Sequence, residues 1–189
     1  MKYELDLTNR RTLLSSLPKT FKTAVEVGVS FGDFSKCILD STDVQKHYCV
    51  DPWEKNPQLT KNWGSALANV RRILGPYGDR VEIVQAWSPA CTPQFEDSSF
   101  DFIYIDGEHT YEAVRDDTKA WWQKLKNGGV MAGHDYGTDW EGVKRAVDEF
   151  VERNELVLYT TGILGVGNGP SPSDGNQPSW VIIKGESND

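Results

Sequence analysis

The residues best suited to chemistry stand where short apolar runs end. Val25-Glu-Val-Gly-Val-Ser-Phe-Gly32 carries a carboxylate and two glycines at the junction of an apolar run and a helical pattern. Gly28 lets the backbone come close to a ligand, and Gly32 lets a helix start tight against the strand. The spacing is not Gly-x-Gly-x-x-Gly, so a dinucleotide pyrophosphate is disfavoured. Glu26 is also wrong for phosphates and right for a cationic ligand. Asp51 ends the next apolar run, 23 residues after Gly28, where a carboxylate can accept both hydroxyls of a ribose. Taken singly, the first feature is also an ordinary glycine turn and the second an Asp-Pro loop start. Together they imply a nucleoside ligand that lacks a pyrophosphate. Farther on, Phe100-Asp-Phe-Ile-Tyr-Ile-Asp106 delivers Asp106 from a buried run, with His109 just after it, and a glycine-rich run delivers His134-Asp135. His109 before Thr110 also reads as a helix cap or surface residue, and His134-Asp135 as a turn. Their arrival at adjacent run ends favours a shared role.

The apolar pattern around these groups alternates between two periods. Strands are predicted at Thr23–Val29, His47–Asp51, Val81–Ala86, Phe100–Asp106, from Val130, at Glu155–Thr161 and at Trp180–Ile183. Helical faces lie between them: Phe31, Phe34 and Ile38; Trp63, Leu67, Val70 and Leu74; Tyr111, Val114, Thr118, Trp122 and Leu125; Trp140, Val143, Val147 and Phe150. Asn127-Gly128-Gly129 reads as the stop of the third. This alternation predicts an α/β chain, a three-layer αβα fold around a mostly parallel seven-stranded sheet. The stretch 165–179 shows no helical period, so the last strand is expected to run antiparallel to its neighbour. Leu7, Leu13, Leu14 and Leu17 suggest a helical lead-in over residues 1–20, able to cover the site or to pair subunits as a homodimer. In open parallel sheets ligands bind outside the carboxyl ends of the strands. Glu26, Gly28, Asp51, Ala86-Trp87-Ser88, Asp106 and His134-Asp135 all fall there. His47 begins a strand at the opposite edge and takes no role.

Composition narrows the function classes. The chain has 189 residues, 38% of them hydrophobic, with 20 Lys+Arg against 28 Asp+Glu and a net charge of −8. One domain over 1–189 is expected. The acidic balance argues against nucleic acid and anionic membranes, both of which demand basic patches. No apolar run approaches the roughly 20 residues of a membrane span, and the opening Met-Lys-Tyr-Glu-Leu-Asp is not a signal peptide. Cys37, Cys49 and Cys91 form no paired motif, and the first two read as small buried hydrophobes, which suits a reducing, cytoplasmic setting. Trp121, Trp122 and Trp140 fall at helical spacing and read as core or interface. Trp53, Trp63 and Trp87 lie nearer the ligand edge. The loop after Asp51 and the stretch 165–179 are candidate lids.

Glu26, Gly28 and Gly32, with Asp51 after them, resemble the class I S-adenosylmethionine-dependent methyltransferases, in the variant of catechol-type and caffeoyl-CoA-type O-methyltransferases. The resemblance covers about residues 21–184. It implies a Rossmann-like methyltransferase fold with S-adenosylmethionine as cofactor. Gly28, Val29 and Ser30 would line the methionine part, with Glu26 and Gly32 framing that loop. Asp51 would hold the ribose, with Pro52 and Trp53 beside it, and Ala86, Trp87 and Ser88 would border the adenine. Asp106 would complete the cofactor set. Amino-methylating relatives carry Asp/Asn-Pro-Pro-aromatic where this chain has Asp106-Gly-Glu-His109, which disfavours amine acceptors.

Ile105-Asp-Gly-Glu-His-Thr-Tyr111 followed by Gly128-Gly-Val-Met-Ala-Gly-His-Asp-Tyr136 resembles the metal-dependent O-methyltransferases, especially those acting on macrolide sugars. That likeness implies Asp106, His134 and Asp135 as holders of a divalent metal, and His109, with Asp106, as the catalytic pair, His109 being the general base. A hydroxyl is a poor nucleophile, and a cation bound to it lowers its pKa. His134 departs from the pattern, since hard-metal sites more often have Asp there. Either the site favours a softer first-row ion over Mg²⁺, or Asp135 binds and His134 positions it. The acceptor is expected to be a small-molecule hydroxyl, on a sugar or polyol first and a catechol-like phenol second. The alternatives are an NAD-dependent oxidoreductase or a non-catalytic nucleoside-binding module on the same fold.

Overall fold

The computed structural model describes residues 4–54, 63–137, 139–162 and 177–187. The predicted alternation takes shape as α1 (Arg10–Ser16), β1 (Thr23–Val27), α2 (Asp33–Ser41), β2 (Lys46–Asp51), α3 (Trp63–Leu74), β3 (Val81–Gln85), β4 (Phe100–Ile105), α4 (Tyr111–Lys124), β5 (Leu125–Gly133), α5 (Glu141–Arg153), β6 (Leu156–Thr160) and β7 (Trp180–Ser187). Short 3₁₀ turns at Gly75–Arg80 and Thr92–Gln94 precede β3 and β4.

The seven strands form one sheet in the order β3-β2-β1-β4-β5-β7-β6. The four pairings from β3 through β5 are parallel. The antiparallel ending arises differently from a simple last edge: β7 inserts between β5 and β6 and runs antiparallel to both. A hairpin-type return reverses direction, and the all-apolar Val181-Ile-Ile183 belongs inside the sheet rather than on its rim. Strand order reverses between β1 and β4. Ligands bind at such a switch point.

Side chains alternate across the strands, so each strand feeds two cores. On one face Val25, Val27, Phe100, Ile103, Ile105 and Met131 pack against Val114 and Trp121 of α4 and Val143 and Val147 of α5. On the other, Ala24, Phe102, Tyr104 and Ala132 pack against Leu13 and Leu14 of α1 and Phe34 and Ile38 of α2. A third cluster joins Cys49 and Trp53 to Val70 and Leu74 of α3. The lead-in helix is thus a buried part of one layer. Among the described residues no helix is long and apolar enough to cross a membrane.

One local reading needs correction. Asn127-Gly128-Gly129 does not stop α4, which ends at Lys124 with Leu125 as its cap. Leu125 already pairs with Phe100, and the next pairing, Phe102 with Val130, skips residues 126–129 as a bulge. Gly128 at φ 78° supplies the left-handed turn this bulge needs. Of the tryptophans read as core or interface, Trp121 is fully buried, whereas Trp140 precedes α5 and is 42% exposed. Most of the loop after Asp51 and residues 163–176 lie outside the described residues, so neither candidate lid is described.

Candidate active site

The carboxyl ends of β1, β2 and β4 meet around Gly28. Its N–H donates to the Val50 carbonyl at 2.9 Å, and Asp106 N–H donates to the Val27 carbonyl at 2.7 Å. Gly28 sits at φ 89°, where a Cβ would lie 2.1 Å from the Asp106 carbonyl oxygen. Glycine is required there on both counts. Gly32, at φ 88°, opens α2 where a Cβ would press on Val70 at 3.1 Å.

Asp51 shapes the loops on either side of this edge. One of its carboxylate oxygens accepts the Ser30 N–H at 2.9 Å and the other accepts the Trp53 N–H at 2.7 Å. Both donors are non-glycine residues at positive φ, 53° and 45°, a strained state that persists only where surroundings enforce it. Trp53 is further fixed by its indole N–H, which donates to the Ser30 carbonyl at 2.9 Å. Trp53 is therefore a buried clamp. Pro52 accepts from Gln85 Nε2 at 3.2 Å.

Glu26 does not face open space. It is 1% exposed and accepts a hydrogen bond from Ser35 Oγ of α2. Ser35 Oγ also lies 2.9 Å from His47 Nε2, so the hydroxyl links the two groups. Burial lowers the His47 pKa to about 3 and pushes the Glu26 carboxyl well above its ordinary value. The same burial raises the neighbouring Cys49 thiol to about 12. His47, without a role in the sequence reading, stands behind Glu26 in a buried polar chain.

At the end of β3, Ala86 N–H donates to the Asp51 carbonyl at 3.2 Å. Trp87 is half exposed, with its indole N–H 3.3 Å from Glu54 Oε2. Ser88 is committed elsewhere: its hydroxyl donates to Asp117 Oδ1 at 2.5 Å and accepts from Trp121 Nε1 at 2.8 Å. What Ser88 offers a flat heterocycle is backbone. Val29 likewise buries its side chain in the core.

Beside the glycine loop, β4 and β5 bring the acidic and imidazole groups together. His109 Nε2 lies 3.0 Å from Asp135 Oδ2 and 3.6 Å from Asp106 Oδ1. His134 Nδ1 lies 3.2 Å from Asp135 Oδ1. Burial pushes the Asp135 carboxyl up, but the bond from His134 and the charges of His134, His109 and Arg10 hold it below its ordinary value. Asp135 stands at φ 61°, a left-handed position at the strand end. Thr110 caps α4 by accepting Ala113 N–H at 3.3 Å, so His109 is not the cap.

This set fits a divalent metal by its own chemistry. Ligand atoms of Asp106, His134 and Asp135 lie within 4.8 Å of one another. His134 Nε2 is buried without a hydrogen-bond partner, while Nδ1 faces a carboxylate, as in metal-binding histidines oriented from behind. Two carboxylates with one imidazole suit a first-row ion better than Mg²⁺.

Sequence reasoning missed three contributors. Arg10, the first residue of α1, reaches 3.7 Å from Asp106 Oδ2 and lies 4.8 Å over the Phe34 ring. Gly142 allows α5 to close on the His109 turn, where a Cβ would lie 3.0 Å from the His109 carbonyl oxygen and 2.8 Å from Tyr111 N. A glycine inside a helical pattern was the available signal. Trp140 sets its ring edge-to-face with His109 at 4.6 Å. No sequence signal could have located Arg10 or Trp140 at this edge.

Comparison with known proteins agrees with this fold. The family described as "Methyltransferase domain" matches residues 25–136, more than half of the chain, and this span contains every group described above except Arg10, Trp140 and Gly142. A protein of Corynebacterium glutamicum superposes with a TM-score of 0.67 at 16% identity, over 97% of this chain and 84% of that one. A candidate methyltransferase from Streptococcus mutans in complex with SAH gives 0.67 at 16%, over 92% and 94%. Precorrin-6y C5,15-methyltransferase from Geobacter metallireducens GS-15 gives 0.64 at 18%, over 92% and 87%. At these identities the likeness carries the fold. No curated protein sequence matches the chain. The family match and the glycine loop at the switch point identify the chain as a member of the Methyltransferase domain family, a class I S-adenosylmethionine-dependent methyltransferase.

Proposed function

We propose that this methyltransferase acts on a hydroxyl of a small molecule, with a divalent metal held by Asp106, His134 and Asp135 and with His109 taking the proton. The observation that carries the reading is the cluster of His109, Asp135, His134 and Asp106 beside the Gly28 turn. Bound S-adenosylmethionine supplies a methyl on a cationic sulfur; the S–CH₃ bond breaks as the acceptor's O–CH₃ bond forms, leaving S-adenosylhomocysteine. Oxygen needs a base, because its proton must leave as the bond forms. His109 meets that need. His109 Nε2 lies 3.0 Å from Asp135 Oδ2, and an imidazole is the side chain suited to taking up a proton near neutral pH. A divalent ion in the site would supply the Lewis acidity that makes a hydroxyl acidic enough for an imidazole base. Positioning supplies most of the remaining acceleration.

Trp140 offers an exposed apolar wall beside His109, suited to the flat face of a sugar or a catechol-like ring. A net charge of −8 favours a small acceptor over nucleic acid, and the free Cys37, Cys49 and Cys91 fit a cytoplasmic setting. The test is incubation with S-adenosylmethionine and panels of polyols, sugars and catechols, with Mn²⁺, Mg²⁺ or chelator, read by mass spectrometry. Metal-dependent O-methylated product is expected. Methylation confined to amines or carbon, or turnover indifferent to chelator, would refute the hydroxyl or metal assignment. Binding of S-adenosylhomocysteine with no product from any acceptor would mark a nucleoside-binding module.

A further inference from the structure

One buried carboxyl at the strand-end edge belongs to neither the metal set nor the glycine turn. A ribose held at Asp51 would set its base toward the end of β3, because Ala86 N–H donates to the Asp51 carbonyl at 3.2 Å. Trp87 and Ser88 follow there, and Gly107 follows Asp106 at the end of β4. Asp117 of α4 touches both loops. Its Oδ1 accepts the Ser88 hydroxyl at 2.5 Å. Its Oδ2 is the nearest atom to the place a Cβ on Gly107 would take, at 3.7 Å, an ordinary contact distance. Gly107 has no side chain to fill that place. Asp117 is 4% exposed, and among the described residues the Ser88 hydroxyl alone donates to its carboxyl. A buried carboxyl with one oxygen unmet costs free energy until a donor reaches it. Its charged neighbours, Asp116 and Glu108, are acidic and supply none. Adenine joined to a ribose has one hydrogen-bonding donor, its exocyclic amino group, and an acceptor-only carboxylate can meet no other part of the ring edge.

We infer that Asp117, set between the Ser88 and Gly107 loops, selects adenine by accepting a hydrogen bond from its exocyclic amino group through Oδ2. The inference rests on the cofactor reading and assigns the base a residue from within α4. The acceptor is fixed from behind. Ser88 holds Oδ1 and itself accepts the indole N–H of the fully buried Trp121 at 2.8 Å. A carboxylate held in this way rejects a purine that carries an oxygen in place of the amine, because two acceptors would then face each other.

The test compares two ligands by calorimetric titration: S-adenosylhomocysteine and its deaminated counterpart S-inosylhomocysteine, which carries an oxygen where the amine was. Wild type should prefer the adenine ligand by about tenfold or more, the worth of one charge-assisted bond. Asp117→Leu, which fills the same space without an acceptor, should bind S-adenosylhomocysteine about tenfold or more weakly. Its affinity for S-inosylhomocysteine should stay within about twofold of wild type or improve, so the preference disappears. Thermal melts verify folding. If Asp117→Leu does not fold, Asp117→Asn is read by the same ratio, since its amide oxygen still serves Ser88 and its N–H would meet the ring edge. A wild type without preference would overturn the inference. So would a folded variant that keeps the wild-type ratio, whether both ligands weaken or neither does, because Asp117 would then only brace Ser88. Wild type binding neither ligand would defeat the cofactor reading itself, a result read before any variant is made.

Discussion

The α-carbon of Gly28 and the carbonyl of Asp106 approach so closely that a Cβ on residue 28 would lie 2.1 Å from that oxygen. The cofactor turn and the candidate metal ligand are therefore locked together through backbone. Gly28→Ala should cost about 3 kcal/mol or more, combining overpacking with strain at positive φ. Gly75→Ala meets nothing within 4 Å and should stay within about 0.5 kcal/mol. Urea unfolding of the pair reads the contrast, and equal stabilities would contradict the close approach.

Behind that turn, Ser35 links Glu26 to His47. Ser35→Ala leaves two buried polar groups without their bond and should cost about 2–3 kcal/mol. Glu26→Gln can still accept from Ser35, and a carboxyl raised so far gives up little on becoming an amide. It should cost less than about 1 kcal/mol at neutral pH. Chemical denaturation orders the two; a larger loss for Glu26→Gln would mean that Glu26 is held as an anion.

Asp117 supplies a pH signature. Burial raises its pKa to about 6 from 3.8, opposed in part by the bond from Ser88. A raised acid favours the protonated native state, so its contribution is full below pH 3.8 and is lost as pH rises through about 6. Asp117→Asn keeps an acceptor for Ser88 and cannot ionise. Relative to wild type it should gain on the order of 1–3 kcal/mol between acid pH and pH 8. Melting temperatures measured across that range should diverge, and parallel curves would refute the shift.

Metal and base separate by two readouts. Mn²⁺ at a hundred times its Kd should stabilise wild type by about 2.7 kcal/mol, and Asp106→Ala or His134→Ala should abolish that rise. His109→Gln should keep the rise and lose roughly 10²–10⁴ in turnover, with S-adenosylhomocysteine affinity unchanged. A His109→Gln enzyme of normal turnover would remove the base role.

Much of the cofactor edge was legible because its signals are local. Glu26, Gly28 and Gly32 occupy one strand–turn–helix, and Asp51, Ala86, Asp106 and His134 each end an apolar run, so sheet alternation alone sends them to one edge. The fine state of those groups was less legible. Glu26 read as an anion for a cationic ligand, yet Ser35 and His47 bury it from the other side. Ser88 read only as a border of the adenine, and nothing in the sequence showed that Asp117 and Trp121 occupy its hydroxyl. In each case the partner comes from a different element, and no sequence period records which side chains meet across layers. The stop at Asn127-Gly128-Gly129 misled for a related reason: a glycine pair ends a helix or bends a strand with equal ease, and pairing with β4 decided for the bulge.

By itself the sequence determined the periods: where the chain extends, where it coils, and which polar residues lie at the carboxyl ends of strands. Those features are encoded within a few residues of each other, through side-chain alternation and glycine freedom. Tertiary structure alone decided that β7 slips between β5 and β6, that Asp51 holds two loops at positive φ, and that Arg10 reaches Asp106 from 96 positions away. Those outcomes depend on burial and charge summed over contacts distant along the chain, and such sums exist only once the layers have packed.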